Sequence, residues 1–271
     1  MFSRRSSRRV ARHLAGLLFV VGLMMAVMPA QAITYGTPDT AHPFVGAIVV
    51  QSIYGWTSEW CSGTLIAPLV FLTAGHCTVD IASYVNGPQD VHISFGPNVL
   101  TPSTWHAVDH WETNPAYWWG PMSDPHDVGV VILKDPITNL GFGSLAPRAG
   151  YLDGLWAQGK LVPMSTTFLN VGYGTDQHLH DTNVREASLS LFKNLHSAWL
   201  YMSQNFKAGA AGTCFGDSGG PTLYADGAGH EYIVAVTSWG DAQCKATNNN
   251  YRVDTSESLA FISSVMAAHH G

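Results

Sequence analysis

The stretch Cys214-Phe215-Gly216-Asp217-Ser218-Gly219-Gly220-Pro221 carries the most structural information in this 271-residue chain. It places one serine between glycines, whose missing side chains leave backbone N–H groups free to point at a reacting oxygen. A serine hydroxyl is a weak nucleophile unless a base takes its proton. The stretch therefore predicts a nucleophile loop, and it requires a histidine and a carboxylate elsewhere in the chain.

Both partners occur upstream of Ser218. Thr73-Ala74-Gly75-His76-Cys77 supplies a histidine, and Asp127 stands at the head of an apolar run that ends at Leu133. We predict Ser218 as the nucleophile, His76 as general base and then general acid, and Asp127 as the carboxylate that orients the imidazole. Single residues of these types are usually structural, so the prediction depends on the three motifs occurring together in this order.

Short apolar or alternating segments recur along the chain, separated by Gly, Pro, Asn and Asp. This spacing indicates an all-β sandwich or barrel without choosing between them. From Ser258, apolar residues recur at helical spacing behind a serine that can cap, which predicts a C-terminal helix over about 258–269. The predicted strand segments are residues 45–51, 60–66, 70–74, 91–95, 128–133, 167–173, 187–192 and 233–239.

With these motifs together, the sequence resembles the chymotrypsin/trypsin-like serine endopeptidases of the secreted, bacterial type over nearly all of the chain after residue 32. The resemblance implies two six-stranded antiparallel β-barrels, over about 33–145 and 146–257, with the active site between them. It also implies an oxyanion hole formed by the backbone N–H groups of Gly216 and Ser218. The expected activity is hydrolysis of protein or peptide substrates through an acyl-enzyme on Ser218.

The first 32 residues have the composition of an export signal. Five arginines precede an apolar stretch from Leu14 to Met28, and Ala30-Gln31-Ala32 fits a small-x-small cleavage site. The apolar stretch is shorter than the roughly 20 residues that a membrane-spanning helix needs. We therefore predict a signal peptide over 1–32 rather than a membrane anchor. The peptidase domain, residues 33–271, is expected outside the cell and without membrane association.

Charge and histidine content exclude some other functions. The leader holds five of the 13 basic residues and none of the 19 acidic ones, which leaves 8 basic against 19 acidic residues, a net charge of −11. Such a chain repels phosphate backbones, so nucleic acid is not an expected partner. The cluster His178-Leu179-His180-Asp181 does not specify a metal geometry. We predict a monomer with no cofactor and no metal.

Four cysteines remain after the leader, an even number in a chain predicted to be exported. This favours two disulfides, and the sequence alone allows three pairings. The family resemblance selects one of them, Cys61 with Cys77 behind His76 and Cys214 with Cys244 beside the nucleophile loop.

Asp217 adjoins the nucleophile in a segment expected to be buried, so it needs a cationic partner. In the resembling family that partner is the amine at the start of the mature chain. Cleavage after Ala32 would expose Ile33, and we predict that the Ile33 amine pairs with Asp217 without a separate propeptide. Local hydrogen bonds to Asp217 are the alternative.

The resemblance places substrate contacts in three segments. Ser238-Trp239-Gly240 resembles the strand that pairs with the substrate backbone. The floor of the primary pocket falls at Gly212 and Thr213, which offer no carboxylate, and Asn249 is expected to intrude beside them. We therefore predict a large apolar or aromatic side chain, not Lys or Arg, before the scissile bond.

The run Tyr117-Trp118-Trp119 either lines the cleft or covers the first barrel.

Two other functions compete with this hypothesis. An inert homologue acting as a binding module would keep the fold, although such proteins usually lose a member of the triad. An α/β-type esterase shares the Gly-x-Ser-x-Gly pattern but places its histidine after the serine. Because His76 precedes Ser218 and the patterning is β-rich, the esterase is disfavoured. Labelling of Ser218 by a serine-directed reagent separates the enzyme from the binding module.

Overall fold

Antiparallel strands dominate the part of the chain that the computed structural model describes, residues 33–118 and 122–269. A two-residue strand, β1 (Thr37–Pro38), comes first. The predicted signal peptide over 1–32 and Trp119 lie outside the described residues. Within those residues, no helix has the length and apolar character needed to cross a membrane.

The first barrel contains six strands: β2 (Val45–Gln51), β3 (Thr57–Ala67), β4 (Val70–Thr73), β5 (Val91–Ser94), β6 (Trp105–Thr113) and β7 (Gly129–Leu133). They close in the order β2-β3-β4-β7-β6-β5. Every residue of β4 and β7 is buried, because these neighbouring strands face the barrel interior on one side and contact helices on the other. This explains why both segments are continuously apolar rather than alternating.

A short strand, β8 (Ser144–Leu145), leads into the second barrel, which consists of β9 (Thr167–Gly172), β10 (Glu186–Leu195), β11 (Trp199–Ser203), β12 (Pro221–Ala225), β13 (Glu231–Gly240) and β14 (Thr247–Arg252). The six longer strands run in the order β10-β11-β14-β13-β12-β9, and β9 pairs with β10 to close the ring. β8 adds parallel to β13. The predicted pair of six-stranded antiparallel barrels is confirmed.

Three α-helices accompany the barrels in the described residues: α1 (Gly75–Ile81), α2 (Tyr151–Ala157) and α3 (Ser256–Ala268). α3 confirms the predicted C-terminal helix, but Ser258 is not its cap. Thr255 Oγ1 accepts a hydrogen bond from the Ser258 backbone N–H at 3.2 Å, while the Ser258 hydroxyl turns inward to the Arg252 carbonyl at 3.0 Å. Ser258 already lies in the first helical turn, where its own N–H is the group that needs a cap.

Each end of the described residues contacts the barrel built by the opposite half. β1 pairs with β10 of the second barrel. α3, which follows the second barrel, contacts β4 of the first. Just beyond α3, His269 Nε2 lies 3.1 Å from Glu112 Oε1 on β6. The two ends thereby join the barrels on both sides.

Both predicted disulfides are present. Cys61–Cys77 joins β3 to α1, and Cys214–Cys244 joins the nucleophile loop to the turn after β13. Each bridge therefore fixes a segment that carries predicted catalytic or substrate-binding residues.

Candidate active site

His76 and Asp127 lie at the ends of two paired strands of the first barrel. His76 is in the first turn of α1, directly after β4, and Asp127 stands two residues before β7, the neighbour of β4. The Asp127 carboxylate accepts the His76 backbone N–H at 2.8 Å and lies 3.0 and 3.2 Å from the ring Nδ1. One buried carboxylate therefore fixes both the backbone and the ring of His76.

The pair stabilises opposite charges on its two members. Burial alone would lower the pKa of His76, but the charge and hydrogen bond of Asp127 raise it above its ordinary value. Burial would likewise raise the pKa of Asp127, yet the charge and hydrogen bonds of His76 hold it below its usual range. An ionised Asp127 next to an imidazole of increased basicity is the arrangement a general base requires.

Ser238 completes the hydrogen bonding of Asp127. Its hydroxyl donates to Asp127 Oδ2 at 2.5 Å. Thr237 and Trp239 pair with successive residues of β14, so Ser238 is the extra residue of a β-bulge, and such bulges re-aim side chains. The sequence predicts Ser238 only as part of the substrate-binding strand, because a bulge leaves no local pattern that points to a partner more than 100 residues away.

The nucleophile loop lies against the segment that carries His76. Gly219 has a φ of +78°, and a Cβ added there would lie 2.0 Å from Thr73 Oγ1 and 2.8 Å from the Ala74 backbone N. Only glycine permits both this conformation and this approach. The contact brings Ser218 beside the start of α1 and to the boundary between the barrels.

Ser62 of β3 fastens the loop from the first barrel. Its N–H donates to the Ser218 carbonyl at 2.8 Å, and its hydroxyl donates to the Gly216 carbonyl at 2.9 Å. The Ser218 hydroxyl makes no hydrogen bond within the described residues, and His76 Nε2 lies 3.6 Å from Cys77 Sγ. The loop is therefore fixed through its backbone, while the hydroxyl is free to turn.

Asp217 is fully buried below Ser218. Its carboxylate accepts the backbone N–H groups of Gly174 at 2.9 Å and Cys214 at 2.8 Å. No basic side chain in the described part of the chain forms an ion pair with it, and burial raises its pKa to about 7 despite the two hydrogen bonds. Asp217 therefore has the local hydrogen bonds considered as the alternative, and within the described residues it still lacks the cationic partner that the sequence predicts.

The segment after the predicted cleavage point docks beside this loop. Ile33 has no exposed surface. Thr34 pairs with Gly212, with backbone hydrogen bonds of 3.0 and 3.3 Å and a side-chain bond of 2.9 Å to the Gly212 carbonyl. The first residues of the predicted mature chain therefore reach the segment that leads into Asp217.

A cleft of about 310 Å³ opens beside Ser218, and its walls include Thr213, Ser238, Trp239 and Gly240 as the sequence predicted. Gly212 is buried behind Thr213. A Cβ at Gly212 would lie 2.1 Å from Gln204 Oε1, so the Gln204 side chain occupies the space below it. The predicted floor residues Gly212 and Thr213 and the neighbouring Gln204 therefore carry no charge.

Asn248, rather than the expected Asn249, contacts the predicted pocket floor. Both asparagines are buried, but Asn248 Oδ1 accepts the Thr213 hydroxyl at 2.9 Å, whereas the side-chain amide of Asn249 has no hydrogen bond within the described residues. Successive side chains of a strand point to opposite faces, so an error of one residue in register exchanges the two asparagines.

Asp241 is a cleft residue that sequence analysis missed. Its carboxylate accepts the backbone N–H groups of Lys245, Ala246 and Thr247 at 2.7–3.1 Å. Burial opposes ionisation, but these hydrogen bonds keep the pKa of Asp241 below its usual value. The wall thus carries a negative charge whose oxygens already hold the turn in place.

Tyr117 and Trp118 line a smaller cavity of about 120 Å³ that also contacts His76 and Trp239. Of the three aromatic residues considered from the sequence, the two that the structure describes therefore border the site beside His76. Trp118 is 66% exposed, so its ring is available to a ligand.

Three groups of side chains in the described residues have ligand atoms close enough to hold a metal. In one of them, Cys61 and Cys77 are joined in a disulfide and offer no thiolate. The other two are partly exposed sets of His and carboxylate side chains that lie within ion-pair distance of one another. The His178-Leu179-His180-Asp181 segment, from which no metal site is predicted, is not among the three, and His180 Nδ1 lies 3.3 Å from Asp176 Oδ2. The two partly exposed sets consist of Glu112 with His110 and His269, and of His126 with Asp124 and Glu257.

Two β-barrels, a buried Asp–His pair and a glycine-flanked serine between them are features that serine proteases share. The family model described as Trypsin matches residues 34–262. The chain therefore belongs to the trypsin family of serine proteases.

Individual relatives agree with this membership. The chain is 28% identical over 211 residues to a trypsin of Saccharopolyspora erythraea, covering 74% of this chain and 82% of that protein. It is 26% identical over 232 residues to a chymotrypsin of Phaedon cochleariae, covering 82% and 78%. It is 26% identical over 256 residues to coagulation factor XII of Cavia porcellus, covering 86% of this chain but 38% of that longer protein.

Proposed function

We propose that the protein is a secreted serine endopeptidase that hydrolyses peptide bonds through an acyl-enzyme on Ser218. The hydrogen-bonded Asp127–His76 pair, beside the loop that carries this serine, is the observation that carries the proposal. Export is supported by the leader and by two disulfides, since disulfides persist in oxidising compartments.

In the proposed mechanism, His76 Nε2 takes the proton of the Ser218 hydroxyl as its oxygen attacks the scissile carbonyl carbon. Asp127 stabilises the resulting imidazolium, and the N–H groups of Gly216 and Ser218 donate to the oxyanion. The imidazolium then protonates the leaving amine, and water releases the acyl group by the same steps. The Ser218–His76 hydrogen bond forms when substrate fills the cleft, as is common in this chemistry.

A fluorophosphonate probe tests the nucleophile. We expect stoichiometric labelling of the folded wild-type protein at Ser218, and no labelling of Ser218→Ala or of heat-unfolded wild type. A folded wild-type protein that stays unlabelled and cleaves no peptide would favour the inert binding module instead.

Maturation is proposed to occur by the single cut after Ala32, which creates an amine at Ile33 that pairs with Asp217. Support comes from the burial of Ile33, the Thr34–Gly212 pairing and the buried Asp217 without a basic side chain. Sequencing the N-terminus of the secreted protein tests this, and an active form beginning at any other residue contradicts it.

The preferred side chain before the scissile bond is proposed to be large and apolar or aromatic. The predicted pocket floor carries no charge, and the Asp241 carboxylate is already bonded to three backbone N–H groups. A cationic side chain would therefore lack a free counter-charge. A peptide-library profile dominated by Lys and Arg at this position would contradict the proposal.

A further inference from the structure

A second cleft, of about 590 Å³, also contains Ser218. It shares Ser218 and Phe215 with the cleft formed by Thr213 and Trp239. Apart from Gly216, its remaining walls come from β3, the residue before β3 and the segment after β9. If the acyl half of a substrate occupies the first cleft, the half that leaves with the amine must cross the second. The side chains of this second cleft are therefore in a position to select residues after the scissile bond.

Two polar groups in this cleft lack partners. Glu59 Oε1 is buried and has no hydrogen-bond partner in the described part of the chain. The same holds for the hydroxyl of Thr175, a residue only 7% exposed. A buried polar atom without a hydrogen bond is unfavourable. Glu59 lines the cleft and is only partly buried as a residue, so a ligand that brings donors into the cleft meets its carboxylate.

The charge around Glu59 is uniformly negative. Burial raises the pKa of Glu59 well above its ordinary value, and the nearby acids Asp217 and Asp181 raise it further. Its Oε2 would lie 2.6 Å from a Cβ built on Gly216, so the carboxylate sits directly against the nucleophile loop. Even after Asp217 is neutralised by the proposed Ile33 amine, Asp181 still acts on it. This environment favours a cation as the missing partner.

Aromatic rings supply an apolar wall beside the acids. The Trp56 and Trp60 rings are stacked with centroids 6.2 Å apart, and Tyr84 contacts the Trp60 ring at 4.8 Å. Such faces pack against the aliphatic stem of a long basic side chain and attract its charged end. A group of acids that only repelled anions would not require aromatic rings beside it.

We propose that this cleft binds a lysine or arginine side chain from the first two residues after the scissile bond. Glu59 is the main specificity-determining residue, with Asp181 at the rim and Trp56 and Trp60 along the stem. The inference rests on the proposed endopeptidase function and adds a preference on its leaving-group side. The predicted preference on the acyl side remains apolar.

The test uses internally quenched peptides that differ only at the first or second position after the scissile bond, where Arg, Leu or Glu is placed. We expect wild type to cleave the best Arg peptide with a kcat/KM about 10-fold above its Leu counterpart and to disfavour Glu. In Glu59→Gln the Arg-to-Leu ratio should fall to about 2 or less. Asp135→Asn, which removes an exposed acid elsewhere, should retain the wild-type ratio.

Because the ratio is measured within each variant, a general loss of activity cancels. A peptidyl p-nitroanilide, which has no residue after the scissile bond, is assayed in parallel with wild type. If wild type hydrolyses neither substrate type, the proposed function fails. If it hydrolyses the anilide but cleaves Arg and Leu peptides equally, or if the Arg preference survives in Glu59→Gln, the inference fails while the function stands.

Discussion

Two buried acids near the candidate site, Asp127 and Asp217, differ in their surroundings. Asp127 has a histidine, a backbone N–H and a serine hydroxyl around it, and its pKa is lowered. Asp217 is as deeply buried, has only two backbone donors, and its pKa is raised to about 7. The hydrogen bonding of the Asp127–His76 pair is thus already in place, whereas Asp217 has no basic side chain beside it in the described residues. Under the proposed function, the first arrangement is preformed and the second is completed by processing.

Substitution of Asp127, the acid with a full set of hydrogen-bond partners, should have the largest effect on activity. Asp127→Asn keeps the shape of the side chain but loses the charge that fixes the imidazole tautomer, so kcat should fall by about 10⁴-fold. Steady-state kinetics on a peptidyl anilide measure this. A loss of less than 10-fold, with KM unchanged, would show that Asp127 is not the acid that orients His76.

Asp217 should make stability depend on pH in a way that processing removes. In a form with extra residues before Ile33, its pKa is raised from 3.8 to about 7, so the folded state holds a proton that the unfolded state releases between these values. Stability should fall as pH rises through this window, by up to about 4 kcal/mol. In the form beginning at Ile33, the amine lowers the pKa and the fall should be absent.

Urea unfolding of both forms at pH 4 and pH 7.5 provides the measurement. Asp217→Asn in the extended form is the matched control and should abolish its slope. If the free energy of unfolding changes equally with pH in the extended form and in the form beginning at Ile33, Ile33 and Asp217 do not pair.

Substitution of Ser238 tests how much its hydrogen bond to Asp127 contributes to kcat. Ser238→Ala removes one hydrogen bond to an ionised carboxylate, so kcat should fall by about 10-fold, with KM changed less. Ser238→Thr, which keeps a hydroxyl, should recover part of the loss. If alanine alters KM alone, Ser238 acts only as a wall of the substrate cleft.

The smallest effect is expected at Glu59, the second acid without a partner. Because the folded-state pKa of Glu59 is raised, its ionisation opposes folding above the ordinary value of 4.5. Glu59→Gln should therefore increase the free energy of unfolding by about 1 kcal/mol at pH 8 and by less at pH 4. Asp135→Asn should leave the free energy of unfolding unchanged at both pH values. If both variants become more stable by the same amount, the burial of Glu59 is not the cause.

Much of this arrangement could be predicted from local sequence. Val45–Gln51 is a strand with the predicted limits, and the glycines around Ser218 predicted the loop that the structure has. What could not be predicted depends on register and on contacts between distant segments. The Ser238 bulge and the exchange of Asn248 for Asn249 follow from how β13 pairs with β14. No periodicity in either strand encodes that pairing.

Helix α2 was missed for a related reason. It lies in a stretch rich in Gly and Pro and has Gly154 within it. The Leu152 backbone N–H is capped by the side chain of Asp254, at 2.8 Å. The residue that allows the helix to begin therefore lies about a hundred positions further along the chain, where sequence patterns of ordinary length do not reach.

The crossed chain ends have a consequence for biogenesis. During synthesis the first barrel is made before α3, the 13-residue helix Ser256–Ala268 that contacts it. The second barrel in turn pairs its strand β10 with β1, a segment that is made before either barrel. Each barrel therefore gains its last contacts from the opposite end of the described residues, and both sets of contacts are available only once α3 has been made.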